Sequence, residues 1–167
     1  MKIIQKNVRI VFVLLILTFI GIACSKNEVA TIPINGDVNV QTNSSKFNTL
    51  LSARTTYKGE PFEIKNIKRE GDLLKIDVLG GCEPEYYKVF WDGVILESNP
   101  ALVKLVVSYE PTLTIKCLVP ISPTLTVDLK KLLGSRYTPN GYTFTVSNAS
   151  KIEDKTINPN GTVTTKK

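Results

Sequence analysis

Three acidic residues in the middle of the chain could do chemistry together. Glu83 and Glu85 are two positions apart, and Asp92 follows seven positions later. Two carboxylates at a suitable separation act as acid and base, or as acid and nucleophile, in glycoside hydrolysis. The pattern therefore makes these residues candidates for a small hydrolase. A polar turn is the alternative that we favour.

Histidine is missing from the whole sequence of 167 residues. It is the most frequent general base and metal ligand, so its absence excludes Ser-His and Cys-His nucleophile pairs. A calcium site would need more clustered oxygen ligands than the three acidic residues supply. The sequence therefore predicts no catalytic residue, no metal site and no cofactor, and it favours a non-enzymatic protein.

The first 23 residues have the pattern of a secretory signal peptide. Three basic residues and no acidic residue precede an apolar run over positions 10–23. A run of about 14 residues is too short for a permanent membrane-spanning helix. A basic flank, a short apolar run and a small residue before the break are instead typical of a cleaved export signal. A short buried helix is the alternative.

The predicted cleavage site is followed directly by a cysteine, and it is not the usual Ala-x-Ala. Gly21-Ile22-Ala23-Cys24 resembles the lipobox of bacterial lipoproteins. The resemblance implies that the thiol of Cys24 receives a diacylglyceryl group, that residues 1–23 are removed, and that the new N-terminus is acylated. Ser25 does not match the aspartate that retains such proteins at the inner membrane. The implied location is the bacterial outer membrane, facing the periplasm or the cell surface.

Residues 24–46 are predicted to be the lipidated cysteine and a flexible tether. The segment has no aromatic residue and is rich in Asn, Thr, Ser and Val. Such a chain spans roughly 25 Å on average. A tight hairpin turn over Ile34–Asp37 is the alternative.

The charge of the chain argues against nucleic acid as a partner. The formal net charge is +6, and removal of the three basic residues of segment 1–23 lowers it to +3. The remaining lysines are scattered, which is typical of a solvated surface rather than of a nucleic-acid-binding patch. We therefore expect the membrane, through the lipid anchor, and a protein or glycan as partners.

Apolar residues recur at every second position through most of the remaining chain, which predicts strands with one buried face. The alternating sets are Leu74/Ile76/Val78, Tyr87/Val89/Trp91, Val103/Leu105/Val107/Tyr109, Leu113/Ile115/Cys117/Val119, Leu125/Val127/Leu129 and Tyr142/Phe144/Val146. Arg69–Asp72 and Asp92-Gly93 are predicted hairpin turns. This pattern predicts an all-β protein, an antiparallel β-sandwich of immunoglobulin-like general shape over residues 47–148.

At most one short helix is expected in this sandwich. Asp128 is placed to cap the segment Leu129–Leu133, and Gly134 is placed to end it. The polar segment 149–167 is predicted to be either a C-terminal tail or an edge hairpin.

Cys82 and Cys117 remain once Cys24 is assigned to the lipid. An even number of cysteines in an oxidising compartment predicts a disulfide. Cys117 is expected on a buried strand face, and Gly80-Gly81 beside Cys82 would permit a close backbone approach. Two buried free thiols are the alternative.

A second resemblance covers about residues 62–133. It is carried by Gly80-Gly81-Cys82, Phe90–Gly93, Ser98-Asn99-Pro100, the cysteine at 117 and Val127-Asp128-Leu129. These segments resemble a family of small envelope lipoproteins. The resemblance implies the disulfide and the envelope location, and it implies no activity.

Four aromatic residues are candidates for contact with a ligand. Tyr86, Tyr137 and Tyr142 are candidate exposed anchors for a partner, because tyrosine is enriched where partners bury against each other. Trp91 is predicted to lie in the core rather than to form a sugar platform. The sequence therefore predicts a membrane-anchored envelope lipoprotein that acts as a non-enzymatic binding or assembly module. A small envelope hydrolase using Glu83 or Glu85 with Asp92 is the alternative.

Overall fold

The computed structural model describes residues 35–112 and 117–167. The predicted signal peptide, Cys24, residues 25–34 of the tether, and Leu113 and Ile115 lie outside these ranges. The strands are β1 Asn35–Asp37, β2 Val40–Thr42, β3 Phe62–Glu70, β4 Leu73–Gly80, β5 Tyr87–Leu96, β6 Ala101–Tyr109, β7 Thr124–Asp128, β8 Tyr142–Asn148, β9 Asp154–Ile157 and β10 Val163–Lys166. The helices are α1 Ser44–Ser52 and α2 Leu129–Leu133, with single 3-10 turns at Ala53–Thr56, Pro84–Tyr86 and Gly134–Arg136. No helix within the described ranges is long and apolar enough to span a bilayer.

The strands form two sheets that share one core, as the alternating pattern predicts. One sheet has the strand order β1-β7-β4-β3, and the other has the order β10-β9-β8-β6-β5-β2. Apolar side chains from both sheets form a single buried cluster, in which Phe62 of β3 meets Tyr87 of β5 edge to face at 5.3 Å. The predicted all-β fold in two sheets is confirmed.

The pairing of the strands is mixed rather than purely antiparallel. The pairs β1/β7, β2/β5 and β6/β8 are parallel. Between β6 and β8 the chain crosses to the opposite sheet and forms β7 there. When it crosses back, β8 runs beside β6 in the same direction. Parallel pairing of this kind follows from the path of the connection, which the spacing of apolar residues does not encode.

Helix α1 is a second helix, so the expectation of at most one short helix is wrong. Asn43 caps it by accepting the N–H of Lys46 at 2.9 Å. Its Phe47 packs with Phe90 and Val106 on the outer face of the larger sheet. That sheet is therefore buried on both faces where the helix lies.

Helix α2 has the predicted bounds and caps. The carboxylate of Asp128 accepts the N–H of Lys131 at 2.9 Å, and Gly134 ends the helix with φ at +58°. Only Gly and a few other residues adopt this left-handed conformation readily. The residues that start and stop this helix were therefore sufficient to predict its bounds from the sequence.

Of the two predicted hairpin turns, one differs from the structure and one is present. The hairpin turn expected at Asp92-Gly93 is a bulge within the continuous strand β5, with Gly93 at φ +85°. The hairpin between β5 and β6 instead turns at residues 97–100. The turn at Arg69–Asp72 is present as predicted, with Gly71 at φ +59°.

The segment expected to be tether is part of the fold from residue 35 onward. Strand β1 pairs with β7 at the edge of the smaller sheet, and β2 pairs with β5 at the edge of the larger one. We call residues 35–42 the strap, because they join one edge of each sheet. At the other end of the chain, β9 and β10 form an antiparallel hairpin, the second of the two forms expected for residues 149–167.

Candidate functional site

The end of the molecule that holds Cys82 is built around two glycines. Gly80 and Gly81 have φ values of +132° and +65°, and a Cβ on Gly81 would overlap the ring of Tyr109. The Tyr109 hydroxyl accepts the N–H of Cys82 at 2.7 Å. The close backbone approach expected for these glycines is therefore present, and it lets one aromatic residue of β6 hold the chain after β4.

Cys82 and Cys117 form a disulfide with a Cα–Cα distance of 5.2 Å. Cys117 is outside any strand, and Val119 beside it is 66% exposed, so the inward-facing strand predicted there is wrong for these two residues. Pro120 and Pro123 follow closely and have no N–H to donate to a strand ladder, which disfavours a strand here. We call this end of the molecule the disulfide end.

A carboxylate of Glu60 lies 3.4 Å from the sulfur of Cys117. Glu60, Cys82 and Cys117 would form a three-ligand group of the type that binds zinc if both sulfurs were thiolates. In the disulfide neither sulfur carries the negative charge that a metal ligand needs. The arrangement therefore fits a covalent link and not a metal centre.

A cavity of about 540 Å³ opens between the strap and the 3-10 turn Pro84–Tyr86. We call it the strap cavity. It is lined by Asp37, Val38, Asn39, Gln41, Pro84, Glu85, Tyr87, Lys88, Pro123 and Leu125. Parallel pairing of β2 with β5 places the strap beside the turn, because Val40 is in register with Val89.

The strap cavity combines an apolar floor with a charged rim. Tyr87 and Leu125 are nearly fully buried, and the Tyr87 hydroxyl donates to the carbonyl oxygen of Gly80 at 3.0 Å. Burial raises the pKa of Tyr87, so the phenol stays neutral and acts as a structural donor. Asp37 and Glu85 are exposed carboxylates on the rim. Such a site can hold an apolar group and orient a polar or charged one.

Lys88 is the cation among the lining residues. Its Nζ donates to the backbone carbonyl oxygen of Glu85 at 2.8 Å. This bond ties the ammonium to the 3-10 turn. The rim therefore carries two carboxylates and one ammonium, a net charge of −1 among the lining residues.

The three candidate catalytic carboxylates are not brought together. Glu85 lines the strap cavity, whereas neither Glu83 nor Asp92 does. Asp92 lies five strand residues beyond Tyr87, roughly 17 Å along β5, and its carboxylate accepts the N–H of Val94 at 2.9 Å. Paired carboxylates in glycosidases are separated by about 5–9.5 Å. The geometry gives the hydrolase no support: Glu83 and Glu85 belong to the polar turn around Pro84–Tyr86, whereas Asp92 lies within β5.

The three candidate tyrosines are separated and partly or fully buried. Tyr86 packs edge to face against Tyr109 at 6.0 Å, at the disulfide end. Tyr137 accepts from Arg69 and donates to Asp72 near the opposite end. Tyr142 is only 7% exposed, and its hydroxyl donates to the carbonyl oxygen of Arg136. The exposure expected for Tyr142 is therefore wrong, because Tyr142 lies on the core face of its strand with Phe144 and Val146.

Trp91 lies in the core, as predicted. It is 4% exposed, and its indole N–H donates to the carbonyl oxygen of Val94 at 3.1 Å. The residues that the sequence reading missed are those of the strap, above all Asp37 and Asn39. Their polar character resembles that of a tether, and only the pairing of β1 and β2 reveals their position.

In comparisons with known proteins, no family model and no curated sequence matches the chain. One similar solved structure is that of a NigD-like immunity protein from Bacteroides caccae. The two share 14% sequence identity with a TM-score of 0.43, and the match covers 80% of this chain and 59% of that one. The chain thus spans less than two thirds of the length of that protein.

Proposed function

We propose that the protein is a lipid-anchored binding module of the bacterial outer membrane whose ligand site is the strap cavity. The observation that supports this site is the joining of an apolar floor to a charged rim where the strap meets the turn Pro84–Tyr86. The lipobox at Cys24 supports the anchor. A rigid two-sheet frame that presents such a cavity is a common basis for recognition.

The charge of the rim favours binding of a positively charged group of a protein partner. Asp37 and Glu85 outnumber the single ammonium of Lys88, which is already bonded to a backbone carbonyl. A lysine or arginine side chain would complete this rim with charge-assisted hydrogen bonds. A glycan is disfavoured, because the ring of Tyr87 is 2% exposed and offers no face on which a sugar could stack.

The binding site is tested by affinity capture from a cell-envelope extract with three forms of the protein. Glu85→Lys reverses a charge on the rim, whereas Glu83→Lys makes the same change two residues away and outside the cavity. We expect the recovery of a captured partner to fall at least tenfold with Glu85→Lys and to stay at the wild-type level with Glu83→Lys. Equal recovery with the two variants would contradict the assignment of the cavity.

The anchor is tested separately by fractionation of cells that produce the full chain. Cys24→Ser removes the thiol that would carry the lipid, so the folded protein should move from the membrane fraction to the soluble fraction. Mass spectrometry of the wild-type protein should show loss of residues 1–23 and addition of lipid at Cys24. A Cys24→Ser protein that stays with the membranes would refute the lipid anchor.

A further inference from the structure

Leu118 and Val119 are the most exposed large apolar residues that the structure describes. Leu118 is 97% exposed and Val119 is 66% exposed. The following residue, Pro120, is exposed as well. We call residues 118–120 the apolar arch. An isolated exposed leucine is ordinary, but adjacent apolar residues projecting together at this level of exposure are typical of a contact surface.

The apolar arch is held firmly at both of its ends. Cys117 precedes it and is bonded to Cys82. Ile121 follows it, accepts the N–H of Gly80 at 3.0 Å and donates to the carbonyl oxygen of Gly81 at 3.2 Å. Both attachments are to the same short stretch after β4. The three residues between these attachments are all exposed.

The arch lies at the end of the molecule where the chain enters the fold. Asn35 is in register with Thr124, three residues beyond Ile121. Residues 24–34 number 11, and a chain of that length reaches at most about 40 Å. An anchor at Cys24 would therefore keep the disulfide end close to the lipid surface.

From these observations we infer that the apolar arch inserts into the surface of the membrane that holds the lipid anchor. The inference rests on the proposed lipid anchor. Tethering raises the effective concentration of the arch at the bilayer, so two apolar side chains suffice for a contact that would be too weak for a free protein. The contact would fix the orientation of the domain, with the disulfide end toward the lipid.

The charge of the disulfide end predicts which lipid surface the apolar arch prefers. Glu83 and Glu85 are exposed beside the disulfide. The ammonium of Lys88, bonded to the carbonyl oxygen of Glu85, offsets one of these charges, so the three side chains sum to −1. Anionic lipid would therefore repel this end, and the contact should be stronger on a zwitterionic surface.

The inference is tested with Leu118→Trp in the full lipidated protein, reconstituted into phosphatidylcholine vesicles with and without brominated acyl chains. Bromine quenches only tryptophan that reaches the acyl region, and the native Trp91 is buried in the core. Val94→Trp is the matched control, because Val94 is 48% exposed near the opposite end of β5. We expect at least twofold stronger quenching of Leu118→Trp and no added quenching of Val94→Trp.

Each outcome decides the inference. Equal quenching of the two variants in a protein that floats with the vesicles overturns membrane contact by the arch and leaves the proposed anchor intact. A wild-type protein that does not float with the vesicles overturns the anchor, and the inference with it. If Leu118→Ser abolishes capture of an envelope protein while Leu118→Trp is not quenched, the arch binds a protein instead.

Discussion

Single residues at the disulfide end determine how closely the backbone can approach the core. Gly81 lies against the face of Tyr109 in a left-handed conformation, and the Tyr109 hydroxyl accepts the N–H groups of Cys82 and Glu83 at 2.7 and 3.3 Å. Tyr109 is 3% exposed. Any side chain at position 81 would therefore have to displace a buried aromatic ring together with its hydrogen bonds.

We expect Gly81→Ala to lower the free energy of unfolding by about 2–4 kcal/mol, the sum of backbone strain and the displaced ring. Gly71→Ala is the matched control, because Gly71 has nearly the same φ, +59°, and no heavy atom lies within 4 Å of a Cβ built there. The control should cost only about 1–2 kcal/mol. Urea unfolding of both variants measures the difference. Equal losses would show that contact with Tyr109 does not restrict position 81.

Among the secondary-structure elements, helix α1 changes the environment of the larger sheet. Phe47 is 3% exposed, and it packs with Phe90, Val106 and Ala149 in a cluster separate from the main core. Phe90 occupies the face of β5 opposite to Val89 and Trp91. The helix therefore explains why β5 and β6 carry buried apolar residues on their outer face as well as on the core face.

Removal of this contact should destabilise the protein. Phe47→Ala is expected to lower the free energy of unfolding by about 3 kcal/mol, because it leaves a void over the sheet. Asn48→Ala, at an exposed position of the same helix, should change it by less than about 0.5 kcal/mol. Denaturant unfolding followed by circular dichroism compares the two. A small effect of Phe47→Ala would mean that α1 does not cover the sheet in solution.

The hairpin of β3 and β4 carries an exposed charge cluster with a predictable pH dependence. Hydrogen bonds from Lys68 at 2.8 Å and Lys75 at 2.5 Å lower the pKa of Glu70 to about 2 from an ordinary value of 4.5. A carboxylate whose pKa is lower in the folded state stabilises the fold above its unfolded-state pKa. This contribution is lost as the pH falls from about 4.5 to about 2.

The wild-type protein should therefore have a higher Tm than Glu70→Gln at pH 7, and the difference should vanish near pH 2. Because all three side chains are partly exposed, 1 M NaCl should also reduce the difference at pH 7. Thermal unfolding at pH 7, 4 and 2 checks the prediction. A difference that persists at pH 2 would mean that the carboxylate charge is not its source.

Local signals in the sequence predicted those elements whose structure depends on neighbouring residues. The alternation of apolar residues predicted β4 and β6, and the turn residues predicted the β3–β4 hairpin. Asp128 and Gly134 predicted the bounds of α2. Alternation also placed Tyr142 on the buried face of β8 with Phe144 and Val146, and it is the separate expectation of an exposed anchor at Tyr142 that is wrong. The strap was missed for a different reason. Its strands have three residues each and pair in parallel with distant segments, so no local periodicity reports them.

In the molecule as a whole, the two sheets are joined most directly at the disulfide end. Tyr109 of the larger sheet accepts from the backbone after β4, and Tyr87 donates to Gly80 at the end of β4. The amide of the fully buried Asn148 donates to the carbonyl oxygen of Phe62 at 2.8 Å. The disulfide adds a covalent link at this end and holds one end of the apolar arch.

This covalent link should contribute to global stability rather than only to the local loop. It closes a loop between positions 35 residues apart, for which loss of unfolded-chain entropy is worth up to about 3–4 kcal/mol. The double variant Cys82→Ala/Cys117→Ala should therefore unfold at a lower urea concentration than the wild-type protein. Reductant should destabilise the wild-type protein alone, because the double variant has no bond to reduce. If reductant shifts neither protein while mass spectrometry without reductant finds both thiols free to alkylate, the disulfide does not form and the apolar arch loses one of its two attachments.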